Sequence, residues 1–405
     1  MPKKWFKIAL LNLFIAMCLG LLMRYAFVNE VGWMKFMNIL HAHSHVAMLG
    51  WAYLAIYAIL IKSFLPEAKQ KKPFYNRLFW ATQISVIGML ATFPVQGYAA
   101  GSIAFSSLHG ICSYLFVWQF IKDIKGQNSI SAKLVRLSLF FMVLSTLALW
   151  AIPPIILNGM QGKAIYYAAV QFYLHFQFNG WFIFSVLGIF FKYLEDNKIN
   201  YPKKTANIFI LLLTISCLLT YVLAVTWSTP IPILFWINSL GVTIQLAALV
   251  FFLKTITPLR HEIKPLFSKK VFILMEVAFF AFAFKISMQT IVAVPYLATV
   301  AYTIRNFVIG FIHLILLGVI THFLLGFGVI KEFMFLRKKY VQIGVPIFMV
   351  GFVLSEAVLF LQGAMFWGTM GFIPDYYELL FLVSALMPIG MLTVVWGLIK
   401  EKNTI

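Results

Sequence analysis

Residues 38–63 read NILHAHSHVAMLGWAYLAIYAILIKS, with no Asp, Glu, Lys or Arg before Lys62. A helix of that length crosses the roughly 30 Å hydrocarbon core of a bilayer. Working outward, stretches of the same length and character recur between short basic loops. Their spacing predicts spans over 5–27, 38–63, 78–97, 102–121, 135–156, 165–191, 205–226, 231–253, 271–293, 303–329, 341–362 and 378–398. Apolar residues make up 62% of the 405 residues and charged residues only 11%, too few to cover a soluble protein of this size. The ten-residue alternating segments of a membrane β-barrel are absent. The expected fold class is all-α, a polytopic bundle of about twelve transmembrane helices. It occupies 1–405 as one transmembrane domain with no separate soluble domain.

The net charge of +20 would suit a nucleic-acid partner, but its distribution argues otherwise. Of the 32 Lys and Arg residues, 27 fall in Lys3/Lys4/Lys7, Lys62 to Arg77, Lys122 to Arg136, Lys192 to Lys204, Lys254 to Lys270, Lys331 to Lys339 and Lys400/Lys402, all on one side of the predicted spans. The other five are Arg24, Lys35, Lys163, Lys285 and Arg305. The positive-inside rule then places both termini in the cytoplasm and runs every even-numbered span inward. Lys3 and Lys4 before an apolar run would also begin a signal peptide, but no small-residue cleavage site follows, so a retained first span is expected. Cys18, Cys112 and Cys217 lie inside spans without metal or disulfide spacing, and there is no Cys-x-x-Cys-His for covalent haem. No Gly-rich phosphate loop and no clear internal repeat is visible.

Seven of the eight histidines fall in or at the ends of spans, and only His261 sits in a cytoplasmic loop. Ionisable groups at membrane depth are costly and commonly functional. His41, His43 and His45 open span 2, His109 lies early in span 4, and His175 and His313 lie about ten residues, or about 15 Å, into spans 6 and 10. All six therefore belong to the outer half of the bilayer. His322 is deeper and on nearly the opposite face of its helix from His313. Imidazoles without thiolates and with few carboxylates suit haem iron, copper or zinc, with Gln171, Gln177, Asn179, Asn306 and Glu356 as supporting groups. The plainer reading is interhelical hydrogen bonding, which weighs most for His109 and His322. Lys285 in span 9 is a candidate anion or propionate partner, or a partner of Glu356. Arg24 and Arg305, near the outer face, are candidate propionate partners or interfacial anchors.

His43-Ser-His45-Val-Ala-Met-Leu-Gly50-Trp51 resembles the His-x-His-x-x-x-x-Gly-aromatic segment of haem–copper membrane proteins, among them the NnrS family and the large subunits of cytochrome oxidase and nitric oxide reductase. Phe311-Ile-His313-Leu-Ile-Leu-Leu-Gly318 resembles the tenth helix of the oxidase large subunits. The resemblance implies a non-covalent b-type haem held by His43 or His45 with His313. It implies a copper-type ligand at His175, with His41 and His109 as further metal candidates. It also implies a bacterial cell membrane, a quinol or electron-donor subunit, and nitric oxide or oxygen as the gas. Phe311 stands where oxidases carry a second histidine, 208–225 holds no histidine pair, and Asn179 replaces a tyrosine. These departures favour a haem- or copper-binding relative over a proton-pumping oxygen reductase. A twelve-span secondary transporter is the alternative, and a di-iron or zinc membrane enzyme a third reading.

Overall fold

The computed structural model of the chain describes residues 1–335 and 338–400. Of the basic residues assigned to the cytoplasmic side, Arg337 and Lys402 lie outside the described residues. Every regular element among the described residues is helical. Twelve helices are long and apolar enough to span a membrane. They are α1 Pro2–Tyr25, α2 Phe36–Phe64, α3 Pro73–Gln96, α4 Ala100–Asp123, α5 Ile130–Leu157, α6 Ala164–Asp196, α7 Lys203–Thr226, α8 Pro232–Leu266, α9 Lys269–Ile291, α10 Arg305–Ile330, α11 Lys339–Trp367 and α12 Tyr376–Lys400. The chain is a multi-pass helical membrane protein, as its hydropathy pattern predicts. Most helix ends differ from the predicted spans by a few residues: Phe36 and Met37 continue α2 beyond its apolar run, while α1 stops at Tyr25 and α9 at Ile291, two residues short.

Three helices are not α-helical throughout. π-helical stretches occupy Val46–Ala52 in α2, Phe176–Phe182 in α6 and Leu314–Thr321 in α10. A π turn is a rare one-residue excess that breaks the i→i−4 register. In hydrocarbon such irregular backbone is tolerated only where protein encloses it. The burial follows that rule: 83%, 89% and 67% of the central stretches of α2, α6 and α10 are buried, against 33–50% in the other nine.

The chain forms two compact units, Met1–Asp123 with Leu324–Ile405, and Ile124–Phe323. In the first, α1 packs on α2 and α12, α3 on α2 and α4, and α11 on α12. Its basic-side core stacks Trp5 on Phe79 at 5.3 Å with Tyr57 edge-on, and the glycines Gly344 and Gly390 let α11 and α12 touch backbone to backbone. Lys7 Nζ donates to Leu398 O at 3.4 Å, so the first and last helices meet on the basic side. Asp123 closes the basic side of α4: it accepts from Lys72 Nζ at 2.8 Å, Tyr75 OH at 2.8 Å and Gln119 Nε2 at 2.9 Å. In the second unit α5 packs on α6, α7 on α8, α8 on α9, and α9 on α10.

Candidate functional site

In the first unit the histidines of α2 divide between two faces. His43 Nδ1 donates to Ala16 O of α1 at 2.7 Å. Its ring lies over Gly20, where an added Cβ would stand 2.9 Å from Cε1, so only glycine admits the imidazole here. His45 Nδ1 donates to His41 O at 2.8 Å, its Nε2 lies 3.4 Å from Tyr98 OH, and its ring packs on Phe93 at 4.4 Å. His41 meets Tyr98 edge-on at 4.6 Å. In both His43 and His45 a backbone carbonyl holds the Nδ1–H tautomer, which leaves the ligating electron pair on Nε2.

His109 of α4 lies against the π turn of α2, with its Nδ1 3.4 Å from Ser113 Oγ. It is buried, stands beside the Leu49 carbonyl and contacts the Tyr53 ring edge-on at 4.7 Å. The neighbouring carbonyl, Gly50 O, accepts from Asn12 Nδ2 at 2.8 Å. Asn12 and Gln83 also exchange amide hydrogen bonds at 2.8 and 3.2 Å. The π turn misaligns backbone acceptors, and these buried polar side chains satisfy them. Arg24, half-buried, has Glu356 and Tyr376 as electrostatic neighbours, and the buried Glu356 lies on α11. Arg24 is thus the cation nearest to hand for Glu356, a role the sequence reading offers to Lys285.

In the second unit His175 Nε2 donates to Cys217 O of α7 at 2.8 Å. That carbonyl is freed where α7 tightens into a 3-10 turn at Thr220–Val222. Here the ligating electron pair falls on Nδ1, with Asn179 Nδ2 3.4 Å away. Asn179 Oδ1 and Gln177 Oε1 are buried and accept no hydrogen bond among the described residues. Lys285 is buried within electrostatic range of His175 and Cys217, and among the described residues no carboxylate pairs with it. His313 ends the α-helical part of α10, and the π stretch opens at the next residue. The orphaned carbonyls of that stretch accept from Thr321 Oγ1, at Leu316 O, and from His322 Nδ1, at Leu317 O, both at 2.7 Å. Arg305 is exposed at the start of α10.

No protein-family model matches the chain, and no curated protein matches it.

Among the described residues no three His, Cys, Asp or Glu side chains come together as a metal-binding group. That donor set does not suit copper, zinc or a di-iron pair held by protein ligands alone. It does suit haem, whose porphyrin supplies four nitrogens and asks the protein only for axial imidazoles. Of the expected copper-type ligands, His41 and His109 belong to the first unit and His175 to the second. The sequence reading missed the π turns and the Asn12–Gln83 pair. A lone Asn in the middle of span 1, costly unless bonded, was the available signal for that pair.

Proposed function

We propose that this chain is a haem-binding protein of a bacterial cell membrane, acting in electron transfer or in nitric oxide or oxygen metabolism, as haem–copper oxidase large subunits and NnrS proteins do. One observation carries the reading. The three most enclosed helices each bear a histidine where the α-helix gives way to a π turn, roughly ten residues into the helix. Structural histidines have no reason to share that address. His43, His45 and His313 are the axial candidates, and carbonyl partners orient the first two. Haem would supply the one-electron chemistry. The chain's own part is to orient the imidazoles, exclude water and offer Arg24 to a propionate. Electrons would come from a quinol or a donor subunit. Copper at His175 remains a proposal without a set of three protein donors.

The test is the haem content of purified variants. His313→Ala and His43→Ala are expected to lose or shift the low-spin haem spectrum, whereas His261→Ala, exposed at the basic-side end of α8, keeps it. Full wild-type haem in His313→Ala would sink the assignment. The interrupted helices also favour a second reading, a twelve-span secondary transporter, because discontinuous helices build transporter sites. Substrate uptake into proteoliposomes that survives His43→Ala would select it.

A further inference from the structure

Lys285 of α9 lies inside the second unit, 1% exposed, and among the described residues its amine meets no hydrogen-bond or ion-pair partner. The carboxylates of that unit are Glu195, Asp196, Glu262 and Glu276. The first three stand near basic-side helix ends, and Glu276 accepts from Arg260 at 3.2 Å. About 13 Å of helix separates Glu276 from Lys285. The counter-charge for this amine is therefore not a carboxylate of its own unit.

The level of the bundle at which Lys285 lies is polar. Helices α8 and α9 run antiparallel. Asn238 Nδ2 donates to Val292 O at 2.9 Å away from the basic side, and Phe252 meets Phe279 at 6.2 Å toward it. Counting two helical turns from each contact sets Gln245 opposite Lys285. Gly241 closes on α7, where an added Cβ would stand 3.2 Å from Thr220 N, so Ser216 and Cys217, a turn further in, come level with Gln245. His175 joins through the Cys217 carbonyl, and Gln289 stands one turn beyond Lys285 on the same face of α9. The side chains of Gln245 and Gln289, 2% and 6% exposed, likewise make no hydrogen bond among the described residues. On the basic side of this layer Phe252 packs on Phe209 at 5.0 Å and on Phe282 at 5.9 Å, a floor of aromatic rings.

Polar groups enclosed at membrane depth are costly unless bonded, and an amine with nothing to accept its N–H groups is unsatisfied in either protonation state. We infer that Lys285, with the side-chain amides of Gln245 and Gln289, binds a small monovalent inorganic anion of the size of chloride. The anion supplies the charge that the unit's carboxylates do not, and it accepts from the amine and from both Nε2 groups. The enclosure of all three side chains suits an ion and excludes a lipid headgroup. The aromatic floor makes the site a blind pocket and not a passage across the bilayer. The inference is independent of haem.

The test is equilibrium dialysis of the purified full chain, exchanged into gluconate, against radiolabelled chloride. The parent is expected to bind a single chloride per chain saturably, and bromide to displace it. Lys285→Met replaces the amine with an apolar chain of similar length; it is expected to elute like the parent and to bind none. Lys163→Ala, at an exposed lysine, should bind as the parent does. Gln245→Leu should weaken binding about tenfold through the loss of one donor. Chloride should also raise the thermal midpoint of the parent and leave that of Lys285→Met unchanged. No saturable chloride in the parent, or undiminished binding in Lys285→Met, overturns the site. Should Lys285→Met not elute as folded protein, Gln245→Leu decides, and parental affinity there overturns the site as well.

Discussion

Helices α2, α6 and α10 differ from the other nine in both backbone and chemistry. The nine are ordinary spans, one-third to one-half buried over their central stretches, with large apolar side chains such as Leu211, Phe280 and Leu382 facing outward. The three enclosed helices carry the π turns and six of the eight histidines, with His45, His175 and His313 where the π turns open, and polar side chains serve their freed carbonyls: Asn12 of α1 for Gly50 O, and Thr321 and His322 of α10 itself for Leu316 O and Leu317 O. The contrast teaches that intramembrane polar residues here do two jobs. Some present a nitrogen, and others repair the backbone that presentation disturbs. Asn12 and His322 belong to the second group.

That division can be broken by substitution. The largest effect is expected at the π glycines, where a Cβ would stand 2.5 Å from Phe141 Cβ at Gly180 and 2.9 Å from Val86 Cγ1 at Gly50. Overpacking there should cost about 3 kcal/mol, so Gly180→Leu is expected to lose most folded yield in detergent. Gly32→Ala, with nothing within 4 Å of the new Cβ, should leave the thermal midpoint unchanged. Equal tolerance at both places would remove the distinction between the two kinds of helix.

Next comes Asn12→Leu, which strands Gly50 O and the Gln83 amide and should cost about 2 kcal/mol. Adding Gln83→Leu should recover part of the loss in a double-mutant cycle, and strict additivity would show that the pair does not act together. In an ordinary helix, Asp123→Asn weakens contacts to Lys72 and Lys69, whose side chains are 40% and 37% exposed, and should cost about 1 kcal/mol. The smallest effect is a pH dependence. Burial, and then the hydrogen bond to Glu195, raises the Tyr201 phenol above its ordinary value of 10.0. Above that pH the unfolded chain releases a proton that the folded chain retains, so stability falls as pH rises. Tyr201→Phe should flatten that slope, and an unchanged slope would place the titration elsewhere.

Much of this was legible in the sequence. The run 38–63 and its repetition predict twelve spans, and twelve helices of suitable length are found. How far His175 and His313 lie into their helices was legible too, because the apolar runs mark where those helices begin. The depth of His45 was not, since α2 begins earlier than the apolar run suggests and sets His45 about as deep in its helix as the other two. Nor could hydropathy show that His43 turns toward α1 while His45 turns toward Phe93 and Tyr98, because the π turn and tertiary packing decide those directions. His322 illustrates the general limit. Its depth and helix face already set it apart from His313 in the sequence, but only the structure names the Leu317 carbonyl that it serves.

The central claim is that these imidazoles exist to hold haem. It is tested most directly by the dithionite-reduced minus oxidised spectrum of the protein purified from a haem-sufficient host, with haem extraction on the same sample. Sharp reduced bands of a low-spin haem at near-stoichiometric content are predicted. A featureless spectrum from folded, monodisperse protein would contradict the account.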